Sequence, residues 1–118
     1  MNNRETGTER EQQAAEYLKR HGMRIVEKNY RCNLGEIDLI GYHQGYLVFV
    51  EVKYRSGTVK GYAVEAVDGR KQRKICRIAD YYRNSHRIGV QVGVRYDVVA
   101  IQGEEINWIP NAFSHVYR

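Results

Sequence analysis

No run of about 18 apolar residues occurs anywhere in this 118-residue chain, which excludes a transmembrane helix. The opening Met-Asn-Asn-Arg-Glu-Thr-Gly lacks the apolar core of a secretory signal. Cysteine is scarce, and Cys32 and Cys76 show no metal-ligand spacing, so both read as reduced thiols. The four histidines are scattered and make no zinc set. These absences predict a cytoplasmic protein with no membrane partner.

What is present fits one globular domain spanning 1–118, large enough for a single core and too short for two. Hydrophobic residues make up 42% and charged residues 28%, outside both disordered and membrane compositions. The net charge of +5 is concentrated between Asp68 and Arg87, where seven Lys/Arg face two Asp; the rest of the chain is neutral. Such a segment is either a solvated helix face or a surface that meets a polyanion.

Two apolar runs organise the chain: Gly35-Glu-Ile-Asp-Leu-Ile40 and Val48-Phe-Val-Glu-Val-Lys53, separated by a turn signal at Gln44-Gly45. A two-residue turn there makes opposed positions sum to 89. Asp38 then faces Glu51, and Glu36 faces Lys53. Ile40 and Phe49 share one side, and Ile37, Leu39, Val50 and Val52 the other. Like charges opposed in a sheet are destabilising. Two carboxylates among apolar strand residues call for a cation, and hard oxygen ligands suit Mg²⁺ or Mn²⁺.

In chain order, Thr8-Glu-Arg-Glu11 has capping-box spacing, and Ala14, Ala15, Leu18 and Gly22 continue a helical stripe that includes Glu11. Glu11 is therefore a helix cap, a third carboxylate leaning toward the hairpin, or both. Residues 23–30 read as a strand and 31–34 as its turn. The segment 54–65 reads as a loop, where Arg55 and Lys60 could meet phosphates and Tyr54 and Tyr62 could stack on bases. Asp68 caps a second helix running to Ser85, with Ile75, Ile78, Ala79 and Tyr82 as its buried stripe. Arg70, Arg73, Lys74 and Arg77 form an opposing basic stripe suited to phosphates. Lys71 falls inside the buried arc, so it either snorkels or points into a cleft. Residues 95–101 and 105–109 are two further strands, Asp97 is expected to anchor Arg95, Arg55 or a loop rather than bind metal, and the tail after Pro110 is expected to be irregular. Helix, three strands, helix, two strands predicts an α/β sandwich, a mixed sheet with a helix on each face.

An acidic residue, a short hairpin and then Glu51-x-Lys53 resembles the PD-(D/E)xK signature of restriction-endonuclease-like nucleases. A fuller match lies in Gly7-x-x-x-Glu11-x-x-Ala14, Gly35-Glu-Ile-Asp-Leu-Ile40, Phe49-Val-Glu-Val-Lys53-x-Arg55, Lys71-Gln-Arg and Arg95-Tyr-Asp-Val-Val99. Together these resemble the bacterial YraN family of endonuclease-like proteins, with archaeal Holliday-junction resolvases as more distant relatives. Ile37 stands where the superfamily name has proline, a departure that many members share. The resemblance implies the three-layer restriction-endonuclease-like sandwich. It also implies Glu11, Asp38, Glu51 and Lys53 as the catalytic set, with Asp38, Glu51 and Glu11 toward Mg²⁺ or Mn²⁺. DNA is the expected substrate, with branched repair or recombination intermediates among the candidates, met through Arg55, Lys60, Arg70, Lys71, Arg73, Lys74 and Arg77. A homodimer would suit symmetric cutting of a four-way junction. The alternative is a nucleic-acid-binding module that keeps the fold without turnover.

Overall fold

The computed structural model describes residues 3–55 and 67–116. Helix α1 spans Asn3–Arg20, followed by strands β1 (Arg24–Cys32), β2 (Gly35–His43) and β3 (Tyr46–Arg55). Helix α2 (Gly69–Ser85) leads to β4 (Val94–Gln102) and β5 (Glu105–Phe113). The strands form one open sheet in the order β1-β2-β3-β4-β5, antiparallel throughout except for the parallel pair β3–β4. A parallel pair needs a crossover, and α2 lies on that connection. The expected three-layer α/β sandwich is what forms.

One core lies between α2 and the sheet: Ile75, Ile78 and Tyr82 meet Ile40, Phe49 and Tyr96. The other lies under α1, where Ala14, Ala15 and Leu18 meet Leu39, Val48 and Val50. Burial of each such aliphatic side chain is worth about 1.5–3 kcal/mol. The near-continuous apolar run of β3 is explained by this double cover. None of the described helices is long and apolar enough to cross a membrane.

The hairpin turns at Gln44-Gly45, both at positive φ (52° and 84°), as a two-residue primed turn requires. Its paired positions, from His43–Tyr46 to Leu39–Val50, all sum to 89 as expected. The ladder stops there. Ile37 packs on the α2 side and Leu39 on the α1 side, so the alternation of β2 breaks at Asp38. This corrects the expectation that Ile37 joins Leu39. Across from Asp38, Asn29 of β1 has φ 52°, between the pairs Lys28–Leu39 and Tyr30–Ile37. A residue in left-handed conformation disturbs the facing of its own strand, and β2 changes facing at the same level, which the sequence period alone does not reveal.

Two terminal expectations need correction. Helix α1 begins at Asn3, so Thr8 and Glu11 lie within it and Glu11 is no cap residue. The segment after Pro110 is strand rather than irregular, since β5 continues to Phe113. Proline is tolerated because β5 is an edge strand and the ladder is interrupted between Val98–Ile109 and Tyr96–Phe113.

Candidate active site

Where β2 and β3 part, the Asp38 carboxylate takes over the acceptor role. Its Oδ2 accepts the Val52 backbone N–H at 2.8 Å. Asp38 and Glu51 are thus neighbours across an opened fork rather than a ladder pair. Glu51 and Lys53, two residues apart on β3, point to the α2 side, while Val50 and Val52 pack toward α1. From α2, Lys71 Nζ reaches Glu51 Oε2 at 3.2 Å. Asp68 fixes the turn that carries Lys71, its side chain accepting the Lys71 backbone N–H at 3.0 Å. The cap was legible from sequence, and it aims the lysine.

These groups share a cavity of about 350 Å³ lined by Glu36, Asp38, Glu51, Lys53, Lys71 and Lys74, with Ile75 and Ile78 as its apolar wall. A shallower depression continues from Glu36 and Lys74 toward Arg31. Glu36 pairs with Arg31 at 3.2 Å, so its partner is the neighbouring strand's arginine and not the expected Lys53. The pair is solvent-exposed and contributes little to stability. Gly35, at φ 141°, lets the Lys74 side chain pass close; a Cβ there would meet Lys74 Cε at 2.7 Å.

The electrostatics follow from burial. Glu51 is pushed up to about 7, first by desolvation and then by Asp38, against the pull of Lys71. Asp38 is also raised, by burial above all, although the Val52 N–H and Lys71 favour its charged form. Glu11 is raised by burial and by Asp38, and it makes side-chain hydrogen bonds with Asn29 and Asp38. Three acids therefore run from α1 to the cavity. Burial and the adjoining Lys71 amine hold Lys53 below the ordinary lysine range. Burial would do the same to Lys71, but its hydrogen bond with Lys53 and its contact with Glu51 outweigh that and raise it. The two amines are thus shifted in opposite directions, Lys53 down and Lys71 up.

The sequence-derived candidates fall into three groups. Glu11, Asp38, Glu51, Lys53 and Lys71 come together, and Lys74 sits on the rim. Arg70, Arg73 and Arg77 are exposed on α2 and outside the cavity wall. The side chain of Arg55, and all of Lys60 and Tyr62, lie outside the described residues. Tyr54 is covered on one ring face by the Arg10 guanidinium, 4.0 Å from its centroid. Asn29 was missed; a single polar residue in a strand carries no distinguishing signal. Among the described residues no three His, Cys, Asp or Glu side chains close around one point to hold a metal.

Asp97 takes no part in the site. Buried on β4 beside Val50 and outside the cavity lining, it accepts Arg95 Nε at 2.9 Å and Nη2 at 2.8 Å. Trp108 Nε1 at 2.8 Å and the Asn111 N–H at 2.9 Å complete its shell. The expected role as an arginine anchor is what the geometry shows.

A family model described as "Uncharacterised protein family UPF0102" matches residues 10–101. A UPF0102 protein of Lachnoclostridium phytofermentans is 47% identical over 114 residues, covering 97% of each chain. One from Methylococcus capsulatus is 47% identical over 113 residues, covering 92% of this chain and 90% of its own. One from Fusobacterium nucleatum is 40% identical over 111 residues, covering 94% and 92%. None of these descriptions states an activity.

Proposed function

The chain belongs to the uncharacterised family UPF0102, and we propose that it is a Mg²⁺- or Mn²⁺-dependent nuclease hydrolysing DNA phosphodiester bonds. One observation carries this reading: Asp38, Glu51 and Lys53 converge in a single cavity at the fork of β2 and β3. The donor set fits a hard divalent ion. Two neighbouring carboxylates are buried deeply enough that each resists ionising, Glu51 up to about 7, which is the behaviour of ligands short of positive charge. Asp38 and Glu51 would hold the ion, with the Val52 carbonyl as a backbone ligand and Glu11 supporting Asp38 from α1. Such an ion neutralises phosphate charge and lowers the pKa of bound water.

The protein's own groups supply the rest. Lys53, held toward the neutral amine by burial and Lys71, is suited to take a proton from the attacking water at Nζ. Lys74 on the rim, and Arg70, Arg73 and Arg77 beyond it, offer phosphate contacts along α2. A binding module without turnover is the second reading. The Lys71–Glu51 contact favours it, because that contact relieves the buried carboxylate without a metal.

The test is incubation with linear, single-stranded, flapped and four-way DNA in Mn²⁺ and in EDTA, using the wild type and Lys53→Met. Mn²⁺-dependent cleavage is expected on at least one substrate. Lys53→Met should lose it by a factor of about 10² or more, the low end for positioned acid–base help. A wild type that binds DNA and cuts none of the panel would sink the nuclease reading in favour of the binding module.

A further inference from the structure

In the proposed chemistry Lys71 acts only through Lys53 and touches neither metal nor phosphate, yet it pairs with the most buried acid of the cavity. Its Nζ stands 3.2 Å from Glu51 Oε2, and the Glu51 side chain is only 9% exposed while that of Lys71 is 38% exposed. The two carboxylates are thus satisfied differently. Asp38 is tied to the backbone N–H of Val52, which cannot leave. Glu51 is tied to the tip of a flexible side chain that already reaches solvent. A buried carboxylate stripped of its close cation is strongly disfavoured, so Glu51 stays ionised only with something positive beside it. An ammonium and a divalent cation in contact with one carboxylate repel each other strongly in so dry a place.

We propose that Lys71 is a resident counter-ion that occupies Glu51 in the metal-free protein and gives it up when a divalent cation binds. This rests on reading the site as a metal centre. The lysine is built to move. Its backbone is pinned by the Asp68 cap, so only the side chain swings, and the cavity mouth beside it is lined by Lys74 and open toward Arg31. Displaced from Glu51, the amine joins Lys74 where a substrate phosphate would lie. Metal loading thereby converts an internal salt bridge into a substrate contact, and substrate phosphate in turn favours the metal-loaded arrangement.

The experiment pairs calorimetric Mn²⁺ titration with amine labelling. Wild type, Lys71→Met and Lys74→Met are titrated without DNA; far-ultraviolet circular dichroism confirms that each is folded. Lys71→Met should bind Mn²⁺ about tenfold more tightly or better, as expected when a competing unit charge is removed at contact distance. Lys74→Met, which removes the same charge from the rim, should change affinity by less than about twofold, since exposed charges are screened. Brief reductive methylation of the wild type, read by peptide mass spectrometry, should label Lys71 more with Mg²⁺ than in EDTA, with exposed Lys19 as the unchanged reference. Equal gains from both substitutions, or Lys71 labelling indifferent to metal, would overturn the counter-ion while leaving the metal centre standing. A wild type and a Lys71→Met that both bind no Mn²⁺ would overturn the metal centre itself.

Discussion

Asp38 accepts the Val52 N–H at 2.8 Å where the β2–β3 ladder has already ended, so a side chain does the work of a backbone carbonyl. Replacing Asp38 with Asn keeps an oxygen for that N–H and removes one of the mutually unfavourable charges. Metal-free stability of Asp38→Asn should therefore rise by about 1 kcal/mol, the size of like-charge penalties across strands. Its Mg²⁺-induced gain in Tm should shrink and cleavage should vanish. Thermal melting in EDTA and in millimolar Mg²⁺, beside the cleavage assay, reads each effect. A less stable metal-free variant would mean that the charge on Asp38 is needed by the fold.

Stability should also depend on pH through Glu51. Its folded-state pKa, about 7, lies above its ordinary 4.5, so the folded protein holds a proton that the unfolded chain has released. Stability from this group is complete below about 4.5 and is lost as pH rises toward 7, by up to about 3 kcal/mol. Asp38 and Glu11, raised for the same reason, act in the same direction. His43, lowered by burial and by Arg95, acts oppositely below 6.5, so the wild type alone gives a mixed profile. Urea denaturation in EDTA of wild type and Glu51→Gln isolates the effect: the variant should gain on the wild type between about pH 4.5 and 7.5. A gap that stays constant with pH would remove Glu51 as the cause.

The arginines of α2 should act on affinity and not on chemistry. Arg70, Arg73 and Arg77 are exposed and lie outside the cavity wall. Changing all three to Gln should weaken DNA binding without regard to sequence. It should also flatten the log–log salt dependence by about 0.9 for each phosphate no longer neutralised. Binding isotherms from about 50 to about 200 mM salt measure the slope. A triple variant with the wild-type slope would place the phosphates elsewhere.

Asp97→Asn should be a stability variant with no metal signature. It would leave Arg95, 8% exposed, without its carboxylate partner. Breaking a buried pair in this way costs about 3–5 kcal/mol. Denaturation should show the same loss with and without Mg²⁺. A loss that Mg²⁺ repairs would tie Asp97 to the metal.

Much of this was legible in the residues, for identifiable reasons. The turn at Gln44-Gly45 fixed the hairpin register, and Asp68 with the Ile75–Tyr82 stripe fixed α2, because each rests on local chemistry. What failed was non-local. The facing of Ile37 changes where the neighbouring strand turns left-handed at Asn29, and the partner of Glu36 depends on β1. Lys71 is the instructive case: its angle on the helical wheel placed it in the buried arc, but only the docked helix shows which carboxylate it meets.

Asp38 and Glu51 are brought together by a hairpin closed over two residues, whereas their lysine arrives on a helix that docks from a long crossover. In the chain the repulsion is thus local, and its relief comes from a more distant segment. Docking of α2 is therefore rewarded by charge as well as by its apolar stripe, and until it docks the cavity has no second wall and lacks Lys71. The chain cannot present a finished site on an unfinished fold.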